Sequence, residues 1–366
     1  MKKFTHALIA CKAVERLKKV ELSDANKPFA DYLLEWFAEH KDGGLRAAWY
    51  PDDYIRANRT SHVYKHTQVV GAIHTNSVSP NDLRERDESP VREDGNTPGD
   101  APTPDVRAYG DTPSYGDTPS FTPPRKLPST SLEYAIGRGH ALFNRPYTID
   151  RNTNLPERCE ALSHAVIDNL RIRESEPKGS PLTPTDNHVA LLLFMLSHYV
   201  ADAHMPMHCD ARDDEFPGFN LHAAAEEIWE REVVRFYKID RPNQRFLYNE
   251  SGFPLRVEDD AYANSTLKAV EDELERRPFR IGYGDGNDNV REYMLAVCLH
   301  AWLTCCAWLP YEAEIASIDR SLLQTPAGLS FREISVAALA DAIDAVARVW
   351  LHDLRRFCWW KEGLPA

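Results

Sequence analysis

His198 and Asp202 stand four residues apart in the apolar run LLLFMLSHYVAD, and His222 and Glu226 repeat that spacing in LHAAAEEIWE. Residues four apart on a helix project from one face, so each pair would offer an imidazole nitrogen beside a carboxylate oxygen. His208 lies between the pairs, just after Pro206, where the first helix has to end or kink. Two helices built this way can aim nitrogen and oxygen donors at one interior point, the donor set that a borderline divalent cation such as zinc takes. A single His on an apolar helix is ordinarily a core residue with a satisfied ring. Here there are two pairs and a linking His, and one pair sits in a Leu-rich face. An unpaired carboxylate is costly to desolvate there, so its charge has to be paired or metal-bound.

The whole run, His198-x3-Asp202-x5-His208-x13-His222-x3-Glu226, resembles the zinc-ligand pattern shared by bacterial phosphatidylcholine-hydrolysing phospholipases C and the fungal and plant single-strand nucleases. The phospholipase branch is the more similar, with Glu as the last carboxylate and the same gap before the fourth His. DAHMPMH also resembles the family's D-x-x-Q-P-x-H, with Met205 where Gln is usual; His204 falls on a non-ligand position and reads as structural. MKKFTHALIA resembles the opening of the nuclease branch, whose mature chains begin with Trp and bind one zinc through the terminal amine and carbonyl together with a His at the sixth position. His6 matches that His, and Met1 stands where Trp would. YPDDYIRANRTSHVYKH covers the place where the family supplies an Asp and a His. Asp52 follows Pro as in the family's Pro-Asp step, whereas Asp53 fits its D-x-I-R version. His62 fits the Ser-His-aromatic-Tyr phrase with Val63 replacing the aromatic, whereas His66 keeps the usual spacing from Asp52. Asp52 and His62 are the favoured pair. The likeness is carried by positions 1–12, 50–66 and 188–230.

The resemblance implies three Zn2+ ions per chain, held by Asp52, His62, His198 and Asp202; by Met1, His6 and a shared oxygen of Asp202; and by His208, His222 and Glu226. It implies phosphodiester hydrolysis by a metal-bound hydroxide, with Asp52 doubling as the catalytic general base. The substrate would be a phospholipid or another small phosphate ester, met in transient contact with a membrane surface. A single-strand nuclease or 3′-nucleotidase is the alternative within the family. A non-catalytic zinc-containing helical binding module, acting through the Pro-rich insertion, is the alternative outside it.

Helices have to position these residues. FTHALIACKAVERL and FADYLLEWFAEH space their apolar residues three and four apart, and the pattern reads as helical from Met1 to about His74. It resumes near Ser131 and dominates to the end, most clearly at 156–173, 188–203, 221–237, 260–276, 289–308 and 331–360. Alternating strand patterns are scarce, so the fold class is all-α. Between Pro80 and Pro128 lie ten of the 25 prolines, and YGDTPS occurs twice, at 109–114 and 115–120. No core can be built from that composition, so residues 76–130 read as a surface insertion within a single helical domain spanning 1–366. Trp302, Trp308 and Tyr311, at helical spacing, read as core, and His300 and His352 as structural.

Composition narrows the partners. The chain has 43 Lys and Arg against 56 Asp and Glu, a net charge of −13, which argues against binding duplex nucleic acid through a broad basic surface. It has no long uncharged apolar run to span a membrane. Seven cysteines, odd in number and mostly inside apolar helical patterns, read as buried free thiols. The opening MKKFTHALIACKAVERLKKV starts with basic residues, but His6 and Lys12 interrupt its apolar stretch and no small-residue cleavage site follows, so it reads as a first helix. Location stays open between the secreted or periplasmic setting that the resemblance implies and the cytoplasm.

Overall fold

The computed structural model describes residues 1–22, 27–55, 59–69, 72–76, 127, 129–138, 154–177, 179–212, 215–216, 219–280, 289–310 and 318–361. Nearly all of the Pro-rich insertion, and Tyr311, therefore lie outside the described residues. Helices dominate: α1 Lys3–Lys19, α2 Lys27–Gly44, α3 Ser131–Arg138, α4 Leu155–Ser175, α5 Asp186–Asp202, α6 Leu221–Phe236, α7 Thr266–Arg276, α8 Val290–Trp308 and α9 Phe331–Lys361. Among the described residues, strands occur as three two-stranded antiparallel pairs: β1 Lys65–Val69 with β2 Ala72–Asn76, β3 Glu215–Phe216 with β4 Phe219–Asn220, and β5 Ile239–Asp240 with β6 Arg245–Phe246. The all-α expectation holds.

Local chemistry sets the helix boundaries. Asn154, Thr185, Asn220 and Asn289 each accept a hydrogen bond from the third residue beyond them, the N-cap arrangement that satisfies first-turn amides, and open α4, α5, α6 and α8. Thr130 and Glu133 exchange bonds reciprocally at the start of α3. The expected helix at 260–276 is instead a 3-10 turn, Asp260–Asn264, followed by α7, because Ser265 takes extended backbone and caps the second piece through Lys268 N. The helical reading to His74 is corrected as well: after 3-10 turns at Leu45–Trp49 and Arg59–His62 and a π turn at Pro51–Ile55, the chain forms the β1–β2 hairpin, with Lys65 opposite Asn76. Its segment, rich in Val, Ile and Thr, favours a pleated strand over a helix.

The buried apolar residues from Met1 to Phe357 form one contiguous core. Helix α5 packs against α1, α2, α4, α9 and the Leu45–Trp49 turn, and α9 touches α1, α4, α5, α7 and α8. Trp302 and Trp308 are fully buried, as expected of core aromatics. All seven cysteines are free thiols, six of them buried. Among the described residues no helix is long and apolar enough to cross a membrane.

Candidate metal centre

Helix α6 shows how the core builds the site. Leu221, Ala225, Trp229, Val233 and Phe236 form its buried stripe, one turn apart, and lock its rotation. The adjoining stripe carries His222 and Glu226, so burying the apolar face presents both to the same place. On α5, His198 and Asp202 are 0% and 1% exposed, which for a carboxylate requires strong local compensation. Ala48, in the turn beside α5, accepts the His198 Nδ1 proton at 2.8 Å. That bond makes Nδ1 a donor and turns Nε2 into the cluster.

Asp202 is the centre of the arrangement. Its Oδ2 lies 2.9 Å from His62 Nδ1 and 3.1 Å from His198 Nε2. Its Oδ1 lies 3.2 Å from the Met1 nitrogen, 3.4 Å from His6 Nε2 and 3.5 Å from His208 Nδ1. One oxygen thus serves each of two groups of nitrogens. Beyond them, His208 Nε2 and His222 Nε2 are 2.9 Å apart, and Glu226 Oε1 lies 2.8 Å from His222 Nε2 and 2.6 Å from the Met1 nitrogen. Asp52 Oδ1, on the π turn, lies 3.7 Å from His198 Nε2 and 3.9 Å from His62 Nδ1.

All nine expected ligands come together. Among the described residues, three triads have their donor atoms within 4.8 Å of one another and could hold a metal ion: His6, Asp52 and His198; His62, His198 and Asp202; and His208, His222 and Glu226. The grouping differs from the expectation in two details. Asp52 joins His6 as well as the His198 group, and the Met1 nitrogen is nearer to Glu226 than to Asp202. Asp53 turns away, its Oδ2 2.6 Å from Lys3 Nζ. His66 pairs through its backbone with Thr75 in the β1–β2 hairpin, and its side chain lies outside the described residues.

The electrostatics fit a cation-binding cluster. Burial would raise the Asp202 carboxyl, but the Met1 amine and His198 outweigh it and hold the group well below the usual carboxylate range. The amine is lowered by burial and raised more by Asp202 and Glu226, to about 11, so it stands as an ammonium that compensates both carboxylates and has to release its proton to ligate a cation. Burial lowers His6 well below the ordinary imidazole value and takes His208 to about 4, so both rings are neutral and able to ligate. Neither nitrogen of His6, nor Nδ1 of His208, makes a hydrogen bond, although all three are buried. Buried ring nitrogens that lack a hydrogen-bond partner and face a buried carboxylate fit a group able to ligate a cation. The donors are imidazole, carboxylate and amine without thiolate; Cys209, next to His208, directs its thiol to the Ala203 carbonyl. That set could hold a divalent cation.

Supporting residues were not legible in the pattern. Asp210, 1% exposed, accepts from Arg212 through its backbone N, Nε and Nη2, and Arg212 Nη1 donates to the Leu309 carbonyl 2.8 Å away, tying the His208 turn to the end of α8. Tyr64 N donates to the His208 carbonyl, linking the His62 and His208 segments. His204 donates from Nδ1 to the Val200 carbonyl and meets Ser131 Oγ at 3.3 Å through Nε2, the structural role expected of it. His300 contacts the Ser129 carbonyl, away from the donor cluster. The only prior signal for Asp210 and Arg212 was their closeness to His208. Comparison with family models, with curated proteins and with solved structures gives no match.

Proposed function

We propose that the chain is a zinc-dependent phosphodiester hydrolase, phospholipase C-like, acting on a phospholipid or related phosphate ester. The observation that carries the reading is Asp202: a buried carboxylate with one oxygen turned to each of two nitrogen groups, as a ligand shared by two close cations requires. When bound, such cations polarise phosphoryl oxygens and make water acidic enough to attack near neutral pH. The remaining work belongs to the chain. His62, His198, His6 and the Met1 nitrogen would hold two cations beside Asp202, and His208, His222 and Glu226 would hold a third. Asp52, 45% exposed at the side chain, stands at the open edge of the cluster. From there it orients the attacking water and accepts its proton. Buried Ala48 and Tyr199, in contact with His198 and, for Tyr199, with His62, exclude bulk water from the inner wall.

The family likeness of the ligand run supports the same reading, and Glu226 with its spacing favours the phospholipase branch over the nuclease branch. The test is metal content by mass spectrometry, coupled to hydrolysis of phosphatidylcholine, short single-stranded DNA and 3′-nucleotides. Two or more Zn2+ per chain with turnover of phosphatidylcholine is the expected result. Fewer than two Zn2+ sinks the metal reading, turnover of DNA or 3′-nucleotides alone moves the chain to the nuclease branch, and Zn2+ without hydrolysis makes it a binding module.

A further inference from the structure

Helix α1 carries His6 on its first turn, yet it begins without a cap of its own. Lys2 makes no side-chain capping bond, and the first turn contains no acidic residue. A helix start leaves four amides without intrahelical partners, and the first amide that the helix itself satisfies is His6 N, which reaches the Lys2 carbonyl. The cap comes from another helix. Glu230 of α6 accepts from Phe4 N at 3.0 Å through Oε1, and from Thr5 N and Thr5 Oγ1, both at 2.9 Å, through Oε2. On the same side of α6, Glu227 pairs with Lys2 and Glu226 with the Met1 nitrogen.

We propose that Glu230 is a positioning residue for the metal centre, capping α1 from outside and setting the register in which the Met1 nitrogen and His6 meet Asp202. The proposal rests on the metal-centre reading above. Glu226 and Glu230 are one turn apart, so α6 presents a ligand and the clamp for two further ligands on one stripe. His6 is 1% exposed and stacks on His198 with ring centroids 4.0 Å apart, a fit that tolerates no fraying of the first turn. Loosening that turn withdraws His6 and Met1 together. It leaves His208, His222 and Glu226 where they are, because the Pro206–His208 turn and the body of α6 hold those three.

The test compares wild type with Glu230→Gln and Glu230→Ala, each stripped by chelator and titrated with Zn2+, with amide hydrogen exchange followed over residues 1–10. Gln keeps the packing but has one acceptor oxygen where two are used, so it carries the test if the Ala variant fails to fold. The expected result is faster exchange at Phe4 and Thr5, and one Zn2+ site weakened about 10- to 100-fold while the others keep wild-type affinity. Unchanged exchange overturns the proposal. So does faster exchange with an unaltered Zn2+ titration, or equal weakening of every site. A wild-type chain that takes up fewer than two Zn2+ instead sinks the metal-centre reading, in the control arm and before any variant is compared.

Discussion

Asp52 and Asp53, neighbours on one π turn, serve opposite directions: Asp52 Oδ1 lies 3.7 Å from His198 Nε2, and Asp53 Oδ2 lies 2.6 Å from Lys3 Nζ. The turn sends consecutive side chains to different sides, one toward the donor cluster and one toward the start of α1.

This division separates two substitutions that differ by one position. Asp52→Asn is expected to lower hydrolysis by about 100- to 10,000-fold, the range for losing a general base. Asp53→Asn removes only a partly exposed ion pair, about 0–1 kcal/mol of stability, and is expected to leave kcat/KM within about twofold. Steady-state kinetics on phosphatidylcholine, or on whichever ester the panel identifies, measures both. Equal losses in the two variants would return the ligand role to an open choice.

Metal removal is expected to destabilise the fold through mass action. At free Zn2+ about a thousandfold above the dissociation constant, each site adds roughly 4 kcal/mol. Treatment with a chelator should therefore lower Tm, and Zn2+ should restore it. His198→Ala should abolish most of this chelator-dependent shift together with Zn2+ uptake, because His198 belongs to two of the three triads. A His198→Ala chain that kept its full Zn2+ content would show the ring to be core packing alone.

Arg212 links the His208 turn to α8 and neutralises the buried Asp210. Arg212→Ala leaves that carboxylate unpaired in the interior, at a cost of about 3–5 kcal/mol. Thermal unfolding should show the loss, and calorimetric Zn2+ titration should show one site weakened by about 10- to 100-fold. An unchanged Tm would mean that Asp210 finds other compensation.

Asp353 on α9 supplies a pH dependence distinct from that of the His and carboxylate cluster. Ser163 Oγ donates to its Oδ1 at 2.5 Å, its Oδ2 makes no hydrogen bond, and burial pushes the carboxyl up to about 7. In an unfolded chain an Asp ionises near 4. The folded protein therefore keeps a proton that the unfolded chain releases between about pH 4 and 7, and this contribution to stability is lost as pH rises through that window. Asp353→Asn should flatten the dependence of Tm on pH between 5 and 8 and make the variant more stable than wild type above pH 7. Parallel curves for the two proteins would show that Asp353 is ionised in the folded state.

The ligand run from His198 to Glu226 and its helices were legible because their information is local. The four-residue spacing on α5 and α6 directs each His and carboxylate to one side, and apolar periodicity plus caps such as Thr185 and Asn220 mark where those helices lie. The same local reading runs helix to about His74, where β-branched residues instead pair as strands, and unbroken over 260–276, where Ser265 breaks and restarts the chain.

What the sequence by itself determined was an acidic, mainly helical chain with two His-carboxylate pairs that burial forces to find compensation. Only the tertiary structure decided which partners provide it. The Met1 nitrogen and His62 reach Asp202 across 201 and 140 positions of sequence, and no periodicity encodes a meeting at that distance. The choice of Asp52 over Asp53 depended on the rotation of one turn. The cap of α1 by Glu230 depended on how α6 lies against it, because an uncapped helix start takes its acceptor from whatever carboxylate the packing delivers.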